Sequence, residues 1–187
     1  EIDTNFISGE IEVISDAEEI TTPVVTTVPE VTTTLSTEAT TNVSKNAEIK
    51  VEKTKGKVGD IVEVKVDIAS IVEYGGIEAF LEYDRSKIEY QEELSEINAK
   101  IGENAMVKTL DKIDIDEKTS KISFVYASLK GIKGEENLLT LKFKILDSAS
   151  GMVKLNIAGT IVDATLEMNE IDTNFISGEI EVISDAE

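Results

Sequence analysis

Apolar and polar residues alternate one by one through most of residues 47–183, and this pattern restricts how the chain can fold. Along residues 77–83 (IEAFLEY), for example, Ile, Ala, Leu and Tyr occupy every second position. Successive side chains of a strand point to opposite sides, so such alternation is typical of a strand with one buried side. About nine short segments of this kind follow one another, with turns between them. They predict an all-β fold, an antiparallel β-sandwich of about nine strands of the jelly-roll type.

One segment has the spacing of a helix. Residues 92–102 read EELSEINAKIG, in which Leu94, Ile97 and Ile101 recur at intervals of three and four. Gly102 stands where a helix commonly ends. The sequence therefore predicts one short helical insert over residues 92–102.

The first eighteen residues of the chain are identical to the last eighteen. Residues 1–18 and 170–187 both read EIDTNFISGEIEVISDAE, at an offset of 169 residues. Identical segments at a fixed period are typical of tandem arrays, so the chain is interpreted as the end of one module followed by one whole module. The second half of the repeat alternates like a strand. This module-linking strand would be formed by Phe175, Ile176, Ile180, Val182 and Ile183. The sequence leaves open which copy completes the sandwich.

Residues 19–46 differ in composition from the rest of the chain. They are rich in Thr, contain both prolines, Pro23 and Pro29, and contain no glycine. Thr, Val and Pro favour extended backbone, which predicts a fairly stiff linker, ~85 Å long at ~3.1 Å per residue. Such composition resembles O-glycosylated stalks, and an unmodified spacer is an equal alternative. We therefore expect the last strand of a preceding module (1–18), a linker (19–46) and a β-sandwich module (47–187).

Composition removes several classes of function. A net charge of −20 argues against binding nucleic acid or an anionic membrane surface, because both would repel the protein. The chain has no Cys and no His, so it can build neither a Ser-His or Cys-His nucleophile nor a zinc site with those ligands. No apolar run approaches the ~18 residues that span a membrane.

Chemistry on sugars is also disfavoured. Glycoside hydrolysis needs two carboxylates across a cleft, and no motif singles out such a pair. The chain has no Trp, and its four Tyr stand at positions typical of a core, so an aromatic platform for carbohydrate is disfavoured too. We expect a protein without enzymatic activity and without a cofactor.

Four segments of the sequence follow one another in a characteristic order: GKVGDIVEVKVDIASI (56–71), GGIEAFLEYDRSKIEY (75–90), DIDEKTSKISFVYAS (114–128) and LTLKFKIL (139–146). Together they resemble the cohesin family, the modules of cellulosome scaffoldins that bind dockerins. The resemblance extends over about residues 47–183. The short spacing from Gly76 to Tyr83 resembles the type II class of the family.

The resemblance implies a partner-binding surface on the outer side of four neighbouring strands. Matched onto this chain, its positions are Glu78, Phe80, Glu82, Ser123, Val125 and Ala127, with Leu129 and Ile132 at the rim. Phe80 is the most informative of them, because Ala79 and Leu81 occupy the core side of the strand and exposed aromatic residues are enriched at interfaces. The alternative is that the helical insert or a neighbouring module covers Phe80.

Acidic residues cluster at Asp111, Asp114, Asp116 and Glu117. Carboxylate oxygens bind Ca²⁺, which makes Asp114 and Asp116 a weak candidate pair. Alternation with neighbouring isoleucines instead predicts that both side chains point to solvent. The chain has 38 acidic residues, so such clusters are expected without any metal.

Together these features favour a non-catalytic, extracellular module of a tandem-repeat scaffold that docks a dockerin-like protein on one sheet face. The alternative is a structural repeat of a surface fibre or adhesin stalk. Its partners would be neighbouring copies of the same repeat, joined through the repeated strand or the linker. Neither hypothesis involves nucleic acid or insertion into a membrane.

Overall fold

The computed structural model describes residues 45–103 and 105–183. The first copy of the repeat and nearly all of the predicted linker lie outside the described residues, so their roles stay predictions. The strands of the described part are β1 (Ala47–Val51), β2 (Lys53–Lys57), β3 (Ile61–Asp84), β4 (Ile88–Tyr90), β5 (Glu96–Ile97), β6 (Val107–Asp114), β7 (Thr119–Ile145), β8 (Gly151–Asp163), β9 (Thr173–Ile176) and β10 (Gly178–Ile183). In the same part of the chain, no helix is long and apolar enough to cross a membrane.

The strands form two layers that share their two longest members. In the first layer the order is β9-β1-β3-β7-β4, and residues 61–70 of β3 pair with residues 134–144 of β7. In the second layer the order is β2-β10-β8-β3-β7-β6, and residues 76–84 of β3 pair with residues 119–127 of β7. Since β3 and β7 pass from one layer to the other, the layers form the predicted β-sandwich of the jelly-roll type.

The passage between the layers lies at a pair of glycines in β3. The register of β3 against β7 shifts between Ser70 and Gly76. A Cβ on Gly75 would lie 2.8 Å from the Cα of Ala164, so only glycine fits at this close approach. Paired glycines commonly interrupt a strand, but here the hydrogen-bonded strand continues through Gly75 and Gly76 into the second layer, with an irregularity of register typical of sheet corners.

Apolar side chains from the two layers face each other and form the core. The alternation along residues 77–83 predicted this, and the four apolar side chains at its odd-numbered positions are at most 5% exposed. Burying each large side chain stabilises the fold by roughly 1.5–3 kcal/mol. The tyrosines of the chain, Tyr74, Tyr83, Tyr90 and Tyr126, all belong to this core, as their positions in the sequence suggested.

The predicted helix over residues 92–102 is wrong in its length. The segment contains a 3₁₀ turn at Glu92–Leu94, the two-residue strand β5, and a helix of four residues, α1 (Ala99–Gly102). The hydroxyl of Ser95 interrupts it by donating a hydrogen bond to the carbonyl of Gln91 and accepting one from the backbone N–H of Lys142. Side-chain bonds of this kind compete with helix formation, so the insert is short and partly extended.

The C-terminal copy of the repeat forms two strands. β9 lies at the edge of the first layer, parallel to β1, with Phe175 opposite Ile49. β10 lies in the second layer, antiparallel to β8 and parallel to β2. Ser177 separates the two strands, and its hydroxyl accepts a hydrogen bond from the backbone N–H of Ile157 at 3.2 Å. The sandwich is therefore antiparallel except for these two pairings, which arise because the last segment returns beside the first two strands.

The predicted residues of the module-linking strand differ in burial. Ile180 is fully buried, whereas Phe175 and Val182 pack partly against the core. Ile176 is half-buried and Ile183 is 38% exposed. The C-terminal copy thus completes both layers of the described sandwich.

Candidate binding face

The outer side of the second layer is a continuous surface of four neighbouring strands, β8, β3, β7 and β6, and we call it the front face. These are the strands for which the family resemblance implied a partner-binding surface. Direct cross-strand pairing sets three rows across it: Thr160, Glu78, Val125 and Thr109; Ala158, Phe80, Ser123 and Asp111; and Asn156, Glu82, Lys121 and Ile113. Six of the eight predicted positions share this face: Glu78, Phe80, Glu82, Ser123, Val125 and Ala127. Leu129 lies two residues beyond Ala127 on β7.

Phe80 lies in the middle row of the front face, where its ring is partly exposed. Its neighbours in the chain, Ala79 and Leu81, are 5% and 3% exposed and point into the core. The amine of Lys121 lies 4.4 Å from the centre of the Phe80 ring. A cation over an aromatic ring at an exposed site contributes ~0.5–1 kcal/mol. The ring is therefore partly covered by one flexible side chain from the neighbouring strand.

Apolar side chains extend from Phe80 toward the β6 edge of the front face. Val125, one row away, is half-buried, and Val107 and Ile113 on β6 are 47% and 43% exposed. Leu129, at the bend of β7, is 80% exposed. Along this side of β6 the polar residues Thr109 and Asp111 stand between Val107 and Ile113, so the face presents several separate exposed apolar side chains.

One predicted neighbour of this surface, Ile132, lies differently from expectation. Ile132 was expected at the rim beside Leu129, but it packs partly against the core. Glu78 and Glu82, in contrast, are exposed on either side of Phe80 along β3. The front face thus has a partly exposed aromatic centre with a carboxylate above and below it.

Asp114 and Asp116 are both exposed, as the alternation predicted, but Ile113 is exposed as well, at 43%. Ile113 lies opposite Lys121 on the front face, and Asp114 lies opposite the fully buried Ser120 on the inner side. The reason is that β6 is an edge strand with both sides largely accessible, so the alternation of its sequence does not separate core from solvent.

The carboxylate of Asp114 is held by three side chains. It accepts a hydrogen bond from the Ser120 hydroxyl at 2.6 Å and pairs with Arg85 at 2.9 Å and Lys112 at 3.1 Å. The Ser120 hydrogen bond, together with the two cations, lowers the pKa of Asp114 below the usual value for Asp. This group joins the end of β6 to β7 and to the turn after β3.

Asp116 has a separate role in the turn between β6 and β7. Its carboxylate accepts hydrogen bonds from the backbone N–H groups of Lys118 and Thr119. Among the described residues, no group of three or more acidic side chains is arranged to hold a metal ion. The carboxylates of Asp114 and Asp116 are each engaged by groups of the chain itself.

The members of the front face that sequence reasoning missed include Lys121, Val107 and Ile113. A signal existed for Lys121, because it precedes Ser123 by two residues on the same strand and so shares its side. Val107 depends on the pairing of β6 with β7, which places it opposite Ala127. No local pattern of sequence specifies that register.

A family model described as the cohesin domain matches residues 47–182. The match extends from β1 into β10 and includes every strand of the front face. The chain therefore belongs to the cohesin family. A search of curated proteins found no match.

Solved cohesin structures are similar to this chain in fold. The solution structure of CaCohA2 from Clostridium acetobutylicum is 21% identical and covers 76% of this chain and 94% of that chain, with a TM-score of 0.64. A chain of a type I cohesin–dockerin complex from Clostridium thermocellum is 18% identical and covers 74% of this chain and 100% of that chain, with a TM-score of 0.62. A non-cellulosomal cohesin from the archaeon Archaeoglobus fulgidus is 18% identical. The match covers 74% of this chain and 92% of that chain, with a TM-score of 0.58. At these identities the similarity establishes the shared fold.

Proposed function

We propose that this chain is a non-catalytic docking module that binds a dockerin-like protein through its front face. The observation that carries the proposal is the position of Phe80, a partly exposed aromatic side chain in the middle row of a broad sheet face. Aromatic residues near the centre of an interface supply much of its binding energy. The exposed apolar residues toward β6 would enlarge the contact.

The proposed partner is inferred from a similar cohesin that was solved in complex with a dockerin. The Clostridium thermocellum structure is a cohesin–dockerin complex of type I, and we carry a dockerin-like partner over to this chain as part of the proposal. The spacing from Gly76 to Tyr83 predicts a partner of type II instead. Both dockerin classes therefore belong in the test.

Docking would use contacts and charge, with no chemical step. Lys121 would move aside, because its stem is flexible and its attraction to Phe80 is weak. The ring would then pack against an apolar patch of the partner, in the water-excluded centre where such contacts count most. Glu78 and Glu82 would attract basic side chains, which speeds the encounter more than it adds affinity and weakens in salt.

We further propose that residues 47–187 form one module of an extracellular tandem-repeat scaffold, with residues 19–46 as its linker and residues 1–18 as the last strand of a preceding module. The identical eighteen-residue segments support this division. In such a scaffold the length of the linker sets the effective concentration of neighbouring modules. The same identity also favours a second candidate, a structural repeat of a surface fibre or adhesin stalk, because identical strands suit contacts between copies.

The test is calorimetric titration of the chain with purified type I and type II dockerins, repeated with Phe80→Asp. We expect at least one dockerin to bind, and Phe80→Asp to weaken it by about 30-fold or more, as for an interface residue worth at least ~2 kcal/mol. The matched control is Ile61→Asp, since Ile61 is 51% exposed on the outer side of the first layer. Ile61→Asp should leave the affinity unchanged.

Two results would count against docking on the front face. One is the absence of binding to every dockerin by a chain whose circular dichroism shows it folded. The other is unchanged affinity in a folded Phe80→Asp variant. Concentration-dependent self-association of the chain, measured by analytical ultracentrifugation together with absence of dockerin binding, would favour the fibre candidate.

A further inference from the structure

β6 (Val107–Asp114) is the longest strand with an open edge in the described part of the chain. It pairs with β7 on one side only, and all of its residues except Leu110 are exposed. The open edges at β2, β9 and β4 belong to strands of five, four and three residues. β2 also carries three lysines, which commonly protect an edge from pairing. β6 is therefore the edge best suited to receive another strand.

The hydrogen-bonding groups at this open edge belong to every second residue of β6. The backbone N–H of Ile115 donates to the carbonyl of Thr119 on β7 at 3.0 Å, and the same register continues along β6. In an antiparallel pair such bonds recur at every second residue, so the odd-numbered residues of β6 bond to β7. The N–H and C=O groups of Lys108, Leu110 and Lys112 therefore point away from β7, toward the open edge.

The β6 edge is electrically neutral in a strongly acidic protein. Residues 107–114 contain two lysines and two aspartates, whereas the whole chain has a net charge of −20. Within the strand, Lys112 pairs with Asp114 at 3.1 Å. A second copy of this chain therefore meets little charge repulsion at this edge, although the whole molecules repel each other.

We propose that two copies of the chain pair antiparallel through β6, about a two-fold axis at Leu110. In this register Leu110 exchanges both backbone hydrogen bonds with Leu110 of the second copy, and Lys108 does so with Lys112 of the second copy. Val107 lies opposite Ile113 of the second copy, in a non-hydrogen-bonded pair whose side chains approach closely. Val107 and Ile113 are 47% and 43% exposed and separate in one copy, and in the dimer they cover each other.

Other registers fit the same edge less well. A shift of the pairing by two residues in one direction sets Val107 opposite Asp111 of the second copy. A shift by two residues in the other direction sets Asp111 opposite Asp111, and like charges directly opposite each other destabilise a sheet. A shift by one residue sets groups that point to the open edge against groups that bond to β7. The proposed register is the one in which the exposed apolar side chains of the edge meet.

One like-charged pair remains in the proposed register. Lys108 lies opposite Lys112 of the second copy, but Lys112 is held by Asp114 of its own chain. Asp114 of the second copy is also the diagonal neighbour of Lys108, within reach of its long side chain. This pair therefore opposes dimerisation only weakly.

The dimer is weak, because one pair of strands is a small interface. Interfaces below ~1,200 Å² are typical of transient complexes, and we expect a dissociation constant of about 0.1–1 mM. Salt should strengthen the association, since it screens the repulsion between two acidic molecules. The odd-numbered residues of both copies share one side of the joined sheet, so the dimer presents two front faces together. The inference goes beyond docking and does not depend on it.

Translational diffusion of the full chain, measured by NMR from ~20 µM to ~2 mM, tests the dimer. Lys108→Pro and Lys108→Ala form a matched pair of variants. Proline removes an N–H that points to the open edge and none that bonds to β7, so Lys108→Pro should weaken dimerisation by ~10-fold or more. Lys108→Ala keeps the N–H and removes a like charge, so it should dimerise at least as well as the parent protein.

Two results of this measurement would overturn the proposal. One is a chain that stays monomeric over the whole range in ~0.5 M salt, where the repulsion is screened. The other is a dimer that a folded Lys108→Pro variant leaves unchanged, because association would then use another surface.

Introduced cysteines report the register, because the chain has no Cys of its own. Val107→Cys with Ile113→Cys should form disulfide-linked dimers under slow oxidation, since the two positions face each other across the two-fold axis. Within one chain these positions lie ~20 Å apart along the strand, too far for a disulfide.

Two further pairs of cysteines report the shifted registers. They are Val107→Cys with Asp111→Cys, and Thr109→Cys with Ile113→Cys. Both should cross-link at less than about one-tenth of the rate of the first pair, because their sulfur atoms do not meet in the proposed register. Faster cross-linking of either shifted pair would overturn the register, and equally slow cross-linking of all three would overturn pairing through β6. This readout decides the question even where Lys108→Pro fails to fold.

Discussion

Lys121 and Phe80 are joined across neighbouring strands, with the Lys121 amine 4.4 Å from the centre of the aromatic ring. Lys121 is also directly opposite Glu82 in the register of β3 and β7. The amine of Lys121 thus lies over the Phe80 ring, while its backbone pairs with that of Glu82, two residues further along β3. This arrangement shields part of the one aromatic side chain on the three central rows without burying it.

Removing the Lys121 amine should lower the free energy of unfolding slightly, and only in a chain that still has Phe80. A double-mutant cycle of Lys121→Ala and Phe80→Ala, measured by urea unfolding, should give a coupling free energy of about 0.5–1 kcal/mol. The single and double variants control for each other in this design. A coupling of zero would mean that the contact adds nothing to stability.

Gly159 should not tolerate even one additional methyl group. A Cβ there would lie 2.2 Å from the carbonyl oxygen of Glu78 and 2.8 Å from the Cα of Ala79. Because both neighbours are backbone atoms of β3, Gly159→Ala should lower the free energy of unfolding by about 1–3 kcal/mol. Thr160→Ala, at the next and exposed position, should change it by less than ~0.5 kcal/mol. Equal urea midpoints for the two variants would show that β8 does not pack this closely on β3.

Asp114 should stabilise the fold at neutral pH and lose that effect in acid. Its folded-state pKa lies below the usual 3.8, chiefly because the Ser120 hydroxyl donates to the carboxylate. A lowered pKa means that the folded state favours the ionised form, so the contribution is present above the unfolded-state pKa and disappears as pH falls through the folded-state pKa.

The corresponding measurement compares Asp114→Asn with the parent protein by urea unfolding at several pH values. The variant should be less stable near neutrality, and the difference should shrink below pH ~4. Asp111→Asn removes the same charge from the opposite side of β6 and controls for net charge. A difference that does not depend on pH would contradict the assignment.

Tyr74, Tyr83 and Tyr90 should resist ionisation until the protein unfolds. Burial raises the pKa of Tyr74, Tyr83 and Tyr90, most strongly for Tyr74. Stability from these neutral phenols is complete below pH ~10 and is lost as pH rises further. Tyrosinate absorbance should therefore appear together with loss of the circular dichroism signal. Tyrosinate in a chain that keeps its circular dichroism would contradict this.

Tyr74→Phe offers a control for the unfolding expected at high pH. The Tyr74 hydroxyl is buried without a hydrogen-bond partner, so removing it should leave stability at neutral pH unchanged or slightly higher. The same variant should unfold at a higher pH than the parent protein, because one of the groups that ionise is gone.

Much of the fold follows from local sequence, because the buried side of each central strand is specified by alternation. Ile77 and Leu81 point inward and Phe80 points outward, as the pattern of residues 77–83 predicted. The same reasoning failed at Ile113, because neither side of an edge strand is fully buried. It also failed at Ser95, whose hydroxyl bonds to the distant strand β7 and interrupts the expected helix.

The candidate site was predictable in part. Alternation along β3 and β7 decides which of their side chains face outward. The assembly of those side chains into one surface depends on the register between the strands. Lys121 stands beside Phe80 only because Glu82 pairs with Lys121 and Phe80 with Ser123. A change of one residue in the pairing register would exchange the two sides of the strand. No local sequence pattern specifies that register.

The most direct test of docking on the front face is an NMR titration of the isotopically labelled chain with an unlabelled dockerin. We predict that the largest amide shift changes fall on residues 78–82 and 121–127 and on β6. Residues 61–67, in the first layer, should stay unchanged. Changes centred on the first layer, with the front face unaffected, would contradict the proposal that this surface binds the partner.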